Sequence, residues 1–368
     1  MRHPGPVLHR TSDPATLMGL VQLRRTVMGV TLALLLMVCA TAAQVSASDY
    51  SDELPPGNQQ AIHSGLAYLA ATQRSDGSWN GSSGPSTGIV GICTVAFLST
   101  GHVPGSGNYG AVVSRGLGYL LSKAQPNGLI YDGGEGHAMY HHGLATLALA
   151  EAWGQSQQPK LRDTLSRAVA LICDCQNARG GWRYEPVIND DDLSCTVLML
   201  MALRAAADAG MDVPEDVIRS GISYVKSCHN GRGQGRDGGF AYMPGQPSGF
   251  ARTAAGVTSL QVAGNERAAE VSEGVDYLLG FQPVGPRTED DSYRFYGLYY
   301  ATMGIYQAQS AGDWGRRAWS AWYPALTTRL LAAQAADGHW PGPHDQFPTA
   351  TALLMLSIPC RYLPINQR

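Results

Sequence analysis

Residues 65–79 read GLAYLAATQRSDGSW, and the first nine of them recur five times further along the chain. The copies are GLGYLLSKAQ at 116–125, AVALICDCQ at 168–176, GISYVKSCH at 221–229, GVDYLLGFQ at 274–282 and LTTRLLAAQ at 326–334. Their closing residues, Gln73, Gln125, Gln176, His229, Gln282 and Gln334, stand 52, 51, 53, 53 and 52 residues apart. A fixed period of that length marks stacked supersecondary units.

Each copy carries apolar residues at helical spacing, as Ile62, Leu66 and Leu69 do in the first. A glycine-rich connector follows each: DGSWNGSSG, NGLIYDGGEG, ARGGWRYEP, GRGQGRDGGFAYMPG, PVGPRTEDDSY and DGHWPGP. These are turn and breaker sequences. A second helix is expected after each connector, at about 86–100, 137–153, 192–209, 249–263, 293–309 and 347–357. These stretches are filled with Ala, Leu, Met, Thr, Gly and aromatics, apolar on more than one face, which is the mark of a buried helix. Each repeat therefore reads as an outer amphipathic helix, a glycine connector and an inner buried helix.

Single hairpins of this kind cannot bury their inner helices, and stacking solves that. An open array needs polar end repeats, yet the first and last repeats here are as apolar as the middle ones. The expected fold is all-α, a single closed (α/α)6 toroid whose inner helices surround a central cavity. All six inner-helix N-termini then face one mouth, where their partial positive charges suit an anionic ligand or carboxylate side chains. The expected organisation is a signal segment at 1–47, a linker at 48–60, the toroid at 61–362 and a tail at 363–368.

Composition narrows the partners. The chain has 368 residues, 26 Lys and Arg against 29 Asp and Glu, and a net charge of -3. It has no basic run, so nucleic acid is not an expected partner. Charged residues make up 15%, well under the usual ~25%, which argues against charge-driven disorder.

Residues 24–47 read RRTVMGVTLALLLMVCATAAQVSA. Two arginines, an apolar stretch and Val45-Ser46-Ala47 form a secretory signal pattern with cleavage after Ala47. The other reading is an uncleaved anchor, for which the stretch is slightly short and contains Thr31 and Thr41. Met18 is an alternative start. The expected location is outside the cytoplasm: periplasmic, in the cell envelope or secreted. Six cysteines lie beyond residue 47: Cys93, Cys173, Cys175, Cys195, Cys228 and Cys360. Most sit in apolar helical runs, where Cys acts as a small hydrophobe.

The pattern Gly65-x-x-Tyr68-Leu69-x-x-x-Gln73-x-x-Asp76-Gly77-x-Trp79 resembles the Gln–Trp repeat of squalene–hopene and oxidosqualene cyclases. Gln334-x-x-Asp337-Gly338-x-Trp340 repeats it, and Gln176-x-x-x-Gly180-x-Trp182 is a third match. The resemblance extends over nearly all of 57–362. It implies the α/α-toroid superfamily of terpenoid cyclases and protein prenyltransferases, nearest to exported bacterial proteins with prenyltransferase and squalene oxidase repeats. In the motif, Gln can cap its helix or reach the next repeat, Gly takes the positive-φ turn, and Trp fills the junction.

Cyclases of this family protonate a polyene with an Asp-x-Asp-Asp motif at an inner-helix start. The resemblance carries that role to Asp190, Asp191 and Asp192, with Asn189 in place of the family's first Asp and Leu193-Ser194 in place of Thr-Ala. The same aspartates also suit plain capping of a helix start. Glu135, His137, Tyr140, His141 and His142 open the second inner helix and are expected at the mouth of the cavity. His137 and His141 share a face at zinc-compatible spacing, but a third ligand is not evident, and no metal or other cofactor is expected. Asp192-Leu193-Ser194-Cys195 is one residue longer than the Asp-x-Cys of protein prenyltransferases, so their zinc site is not carried over. Tyr293, Tyr296 and Tyr300 share one face of the fifth inner helix, where they suit either carbocation stabilisation or core packing. Arg252 and Arg294 stand near inner-helix starts, placed to grip a diphosphate or carboxylate or to pair with nearby acids.

The expected function is a toroid that binds or cyclises an isoprenoid-type hydrophobic small molecule by Asp-mediated protonation. The alternative is a non-catalytic toroid that binds a protein, glycan or lipid. Peripheral membrane contact and the oligomeric state stay open.

Overall fold

The structure, a computed structural model, describes residues 54–133, 136–156, 158–233, 236–285, 287–288 and 293–367. The expected signal segment lies outside the described residues. Twelve α-helices of the described residues alternate between two rings. The outer helices are α1 (Pro56–Thr72), α3 (Gly110–Ser122), α5 (Pro159–Asp174), α7 (Glu215–Ser227), α9 (Ala269–Leu279) and α11 (Asp313–Ala333). The inner helices are α2 (Thr87–Ser99), α4 (Ala138–Ser156), α6 (Leu193–Asp208), α8 (Phe250–Val262), α10 (Arg294–Gln307) and α12 (Gln346–Ser357). The strands are a two-residue pair, Asn80–Gly81 and Gly84–Pro85, in the first connector.

The division between rings follows residue type. Helix α7 reads EDVIRSGISYVKS and buries only Gly221, Tyr224 and Val225. Helix α2 reads TGIVGICTVAFLS and buries all but one of its residues. Small residues let the inner helices touch. A Cβ at Gly91 of α2 would stand 2.6 Å from the Leu144 carbonyl of α4, so the two backbones pack closer than larger side chains permit.

The inner helices contact one another in the order α2, α4, α6, α8, α10, α12, and α12 returns to α2. The ring is closed. Each outer helix from α3 onward packs on the inner helix before it in the chain, and α1 packs on α12. The sequence repeat runs outer to inner, so the seam joins the first and last helices of the described residues.

The connectors are built on one plan. Gln73 Nε2 donates to the Gly77 carbonyl at 3.1 Å and to the Val112 carbonyl of α3, the next outer helix, at 3.0 Å. Gln176 bridges Gly180 and Val217 of α7, and Gln334 bridges Gly338 and Ala61 of α1. The indole N–H groups of Trp79, Trp182 and Trp340 donate to Leu69, Ile172 and Leu330 at the ends of their own outer helices. Gly77, Gly180 and Gly338 have φ of 90°, 92° and 98°, and a Cβ there would stand 2.2–2.3 Å from a carbonyl of the next outer helix. Both conformation and space demand glycine.

Two boundaries differ from expectation. Helix α1 starts at Pro56, with Leu54 and Asn58 already buried, so the ring begins inside the expected linker. The expected tail is part of the packed body: Leu363, Ile365 and Asn366 are buried.

Candidate functional site

The first turns of the inner helices surround a cavity of about 670 Å³ that opens at the connector end of the ring. Every inner helix contributes to its wall: Ile92 from α2, Tyr140, His141 and Leu144 from α4, Ser194 and Leu198 from α6, Ala251 and Arg252 from α8, Tyr296, Tyr299 and Tyr300 from α10, and Phe347 and Thr351 from α12. Connectors add Gly136, His137, Tyr184, Tyr242, Gln246 and Tyr293. Seven of these are tyrosines, so the wall offers ring faces and aliphatic groups with scattered hydroxyls. Tyr296 and Tyr300 meet edge to face at 4.7 Å.

Of the residues expected at the cavity, His137, Tyr140, His141, Arg252, Tyr293, Tyr296 and Tyr300 are in its wall. Glu135 lies outside the described residues. His142 is a correction. It is fully buried and points away from the cavity, accepting from the Ile130 amide at 3.1 Å through Nδ1 and facing the Ala168 carbonyl at 3.2 Å through Nε2. It ties α4 to the outer layer, and burial pulls its imidazole down to about 4. One residue along a helix turns the side chain about 100°, which separates His142 from His141.

The three aspartates part company. Asp190 is exposed. Asp191 is fully buried but faces the outer layer, where its Oδ2 accepts from Arg179 Nε and Asn177 Nδ2, both at 2.6 Å. Asp192 is the N-cap of α6, its Oδ1 accepting from the Cys195 amide at 2.8 Å. None of the three lines the cavity, which corrects the expectation of a carboxylate on its wall.

Asp192 nevertheless reaches the cavity through hydroxyls. Tyr140 O–H donates to Ser194 Oγ, and Ser194 O–H donates to Asp192 Oδ1. Both hydroxyl residues line the cavity. Burial raises the Asp192 carboxyl above the usual carboxylate range, against the pull of its Ser194 and Cys195 hydrogen bonds and of Arg183. The Arg183 Nε stands 3.8 Å from Asp192 Oδ2, and its guanidinium lies over the rings of Tyr184 and Tyr242 at 4.9 and 5.9 Å. Tyr184 and Tyr242 hydroxyls bond to each other.

Sequence reasoning missed Tyr184 and Tyr242. Each stands two residues past the aromatic that fills the junction, Trp182 or Phe240, in successive connectors. That repeated offset was the available signal. The Tyr184 and Tyr242 carbonyls accept from the amides of Met139 and Leu193, at the starts of α4 and α6, so these connectors cap the preceding inner helices while placing a phenol at the mouth.

The mouth also holds polar groups. His137 has φ of 69°, and its ring lies 4.2 Å from that of Tyr184, tilted by 54°. His141 Nδ1 lies 3.3 Å from Ser86 Oγ and 3.4 Å from the Gly88 amide. Among the described residues, no group of three or more His, Cys, Asp or Glu is placed to hold a metal ion. Arg252 donates to the Pro247 carbonyl at 3.4 Å.

No protein-family model matches the chain. No curated protein matches it either. Solved structures do. A substituted type II terpene cyclase from Scytonema, in complex with geranylgeranyl dihydroxybenzoate, aligns at a TM-score of 0.55 and 14% identity, covering 83% of this chain and 98% of that one. A protein from Actinoplanes aligns at 0.53 and 16% identity, covering 81% and 98%. A family 76 glycoside hydrolase (mannosidase) from Bacteroides thetaiotaomicron aligns at 0.51 and 9% identity, covering 81% and 96%. At such identities the likeness is one of fold: this chain is an α/α toroid, the architecture these proteins share.

Proposed function

We propose that the central cavity takes an isoprenoid-class hydrophobic small molecule and that Asp192 is the proton donor of a cyclisation or isomerisation there. The protonated carboxyl donates to Ser194 Oγ, reversing the bond the Ser194 hydroxyl makes to it, while the Ser194 proton passes to the substrate, and the proton the product cation loses returns by the same path. One observation carries this reading: a tyrosine-walled cavity is backed by a buried carboxyl whose hydroxyl relay opens onto it. Aromatic faces stabilise passing carbocations. Burial raises the Asp192 carboxyl, so the acid form persists to higher pH while its donating strength falls, and stabilisation of the cation by the aromatic wall must carry more of the barrier. The terpene cyclase whose fold this chain shares binds a geranylgeranyl compound, which supports the substrate class.

The glycoside hydrolases that share the fold need two carboxylates about 5–9.5 Å apart across the scissile bond. Among the described residues no Asp or Glu is in the cavity wall, and Glu135, expected at the mouth, lies outside them. The second reading is a toroid whose apolar, tyrosine-rich wall binds a hydrophobic ligand without turning it over.

The test is extraction of the purified protein for bound lipid by mass spectrometry, followed by incubation with squalene and geranylgeranyl diphosphate. Asp192→Asn is expected to lower turnover by about 100-fold or more with ligand retention unchanged, while Asp191→Asn leaves the rate intact. Bound lipid with no turnover selects the second reading. No bound lipid and no turnover would sink both. The reading includes export through residues 1–47. Fusion of that segment to an alkaline phosphatase reporter tests it, with activity expected only outside the cytoplasm.

A further inference from the structure

The end of the ring away from the cavity is closed by the chain itself. After α12 the backbone turns at Arg361, with φ of 54°, and the following residues cross the C-terminal ends of the inner helices. The Tyr362 ring lies against Gly101, just past α2. Gln307 Nε2, at the end of α10, donates to the Ile365 carbonyl at 3.0 Å. The turn Pro364–Asn366 packs on α6. Leu363, Ile365 and Asn366 of this segment are all buried.

The fourth contact is Glu151 of α4. The residue is 2% exposed, its carboxyl oxygens make no hydrogen bond of ordinary geometry among the described residues, and the Ile365 backbone is a weak partner to them. The Ile365 backbone is on one side of it, and Tyr299, a residue of the cavity wall, is within its electrostatic reach. No feature of the proposed protonation step uses this acid.

The geometry points to a plug: residues 361–367 seal the far mouth of the ring, Glu151 latches them, and their release opens a second route into the central cavity. The plug rests on the reading of that cavity as a ligand site.

Burial pushes Glu151 up to about 8, the Ile365 backbone offsets part of this, and Asp208 of α6 adds to the push. Asp208 is itself paired with Arg204 at 3.0 Å. Tyr299 of α10 is a neutral phenol, raised chiefly by burial. Because the folded value lies above the ordinary 4.5, the stabilisation is full below 4.5 and disappears as pH rises through about 8. Once ionised, the carboxylate needs water, and lifting the tail supplies it.

The test is hydrogen–deuterium exchange of 361–367 at pH 6 and pH 9, corrected for intrinsic rates, in the wild-type chain and in Glu151→Gln. Protection in the wild type is expected to fall about tenfold between the two, and in Glu151→Gln to change less than about twofold. Equal behaviour of the two proteins overturns the latch. Entry is followed with N-phenyl-1-naphthylamine as the probe. Its association is expected to be several-fold faster at pH 9 than at pH 6, and fast at both in Ile365→Ser. Rates that depend on neither pH nor the tail overturn the second route. Absence of probe binding in every form overturns the cavity reading, and the exchange experiment then still decides the latch.

Discussion

At the scale of residues, three adjacent aspartates do three different things. The run before α6 was visible in the sequence, but the direction of each side chain was not. The cap conformation of Asp192, with φ -151° and ψ 159°, folds its carboxyl back over the first amides of α6. Asp191, one residue earlier, points the other way and packs against Gly181, where a Cβ would come within 2.4 Å of its own. Asp191→Asn removes a charge-assisted bond to an exposed arginine and is expected to cost about 1.5–3 kcal/mol, read as a lower urea midpoint with the denaturant slope unchanged. An unchanged midpoint would mean the Arg179 pair holds nothing. Similar reasoning gives a pH dependence. Burial lowers both His142 and His102 to about 4. Because these folded values lie below the ordinary 6.5, their contribution is complete above 6.5 and is lost as pH falls toward 4. For the fully buried His142 the loss is about 3 kcal/mol by linkage. His142→Gln, which keeps a donor toward Ala168, is expected to flatten the fall in stability between pH 6.5 and 4. A profile that matches the wild type would assign the slope to other groups.

At the scale of elements, most of the pattern was legible because helix period and connector chemistry are local. The inner helices begin and end within a few residues of the expected spans, since a stretch apolar on all sides has only one place to go. The connectors were legible where Gln, Gly and Trp coincide, and less so elsewhere. Gly128 shows why. It has φ of 95°, and a Cβ there would stand 2.3 Å from the Arg167 carbonyl of α5, the same fit as Gly77. Yet Ile130 stands where a tryptophan would be, so the sequence there shows only half of the pattern. The backbone geometry outlasts the side chain that advertises it. This separates two kinds of positive-φ glycine. Gly180→Ala forces a Cβ into the Ser220 carbonyl as well as a strained φ, and about 2–5 kcal/mol is expected to be lost. Gly105 has φ of 74° with nothing within 4 Å of a built Cβ, so Gly105→Ala is expected to cost only the conformational part, about 1 kcal/mol. Thermal melts of the two variants measure the difference. Equal losses would show that φ alone sets the cost and that the close approach to the next helix does not.

At the scale of the molecule, closure decides stability as well as the site. In an open array each unit leans on its neighbours, and the ends open at a fraction of the global free energy. Here α12 packs on α2 and α1 packs on α12, so no inner helix has a free face. The seam uses the contacts found inside the ring: Gln334 Nε2 reaches the Ala61 carbonyl at 2.9 Å, as Gln73 reaches Val112 at 3.0 Å. A Cβ on Gly65 of α1 would stand 2.9 Å from the Trp340 ring, so the first helix is cut to fit the last connector. Sequence alone argued for closure only by the lack of polar end repeats, because the contact that closes the ring joins residues 273 positions apart. Native-state hydrogen exchange tests it directly. Amides in the middle of α12, from Ala350 to Leu356, are expected to open within about 1 kcal/mol of those in the middle of α6, from Val197 to Leu203. Gln334→Ala removes one bond across the seam and one within its own connector and is expected to lower both sets together by about 1–2 kcal/mol, as Gln73→Ala does from within the ring. Exchange in α1 and α12 that runs several kcal/mol easier than in α6, or a Gln334→Ala effect confined to those two helices, would mean that the seam opens by itself. The cavity would then have a wall that parts along α12 and α2, and a ligand held by all six inner helices would have to close that wall as it binds.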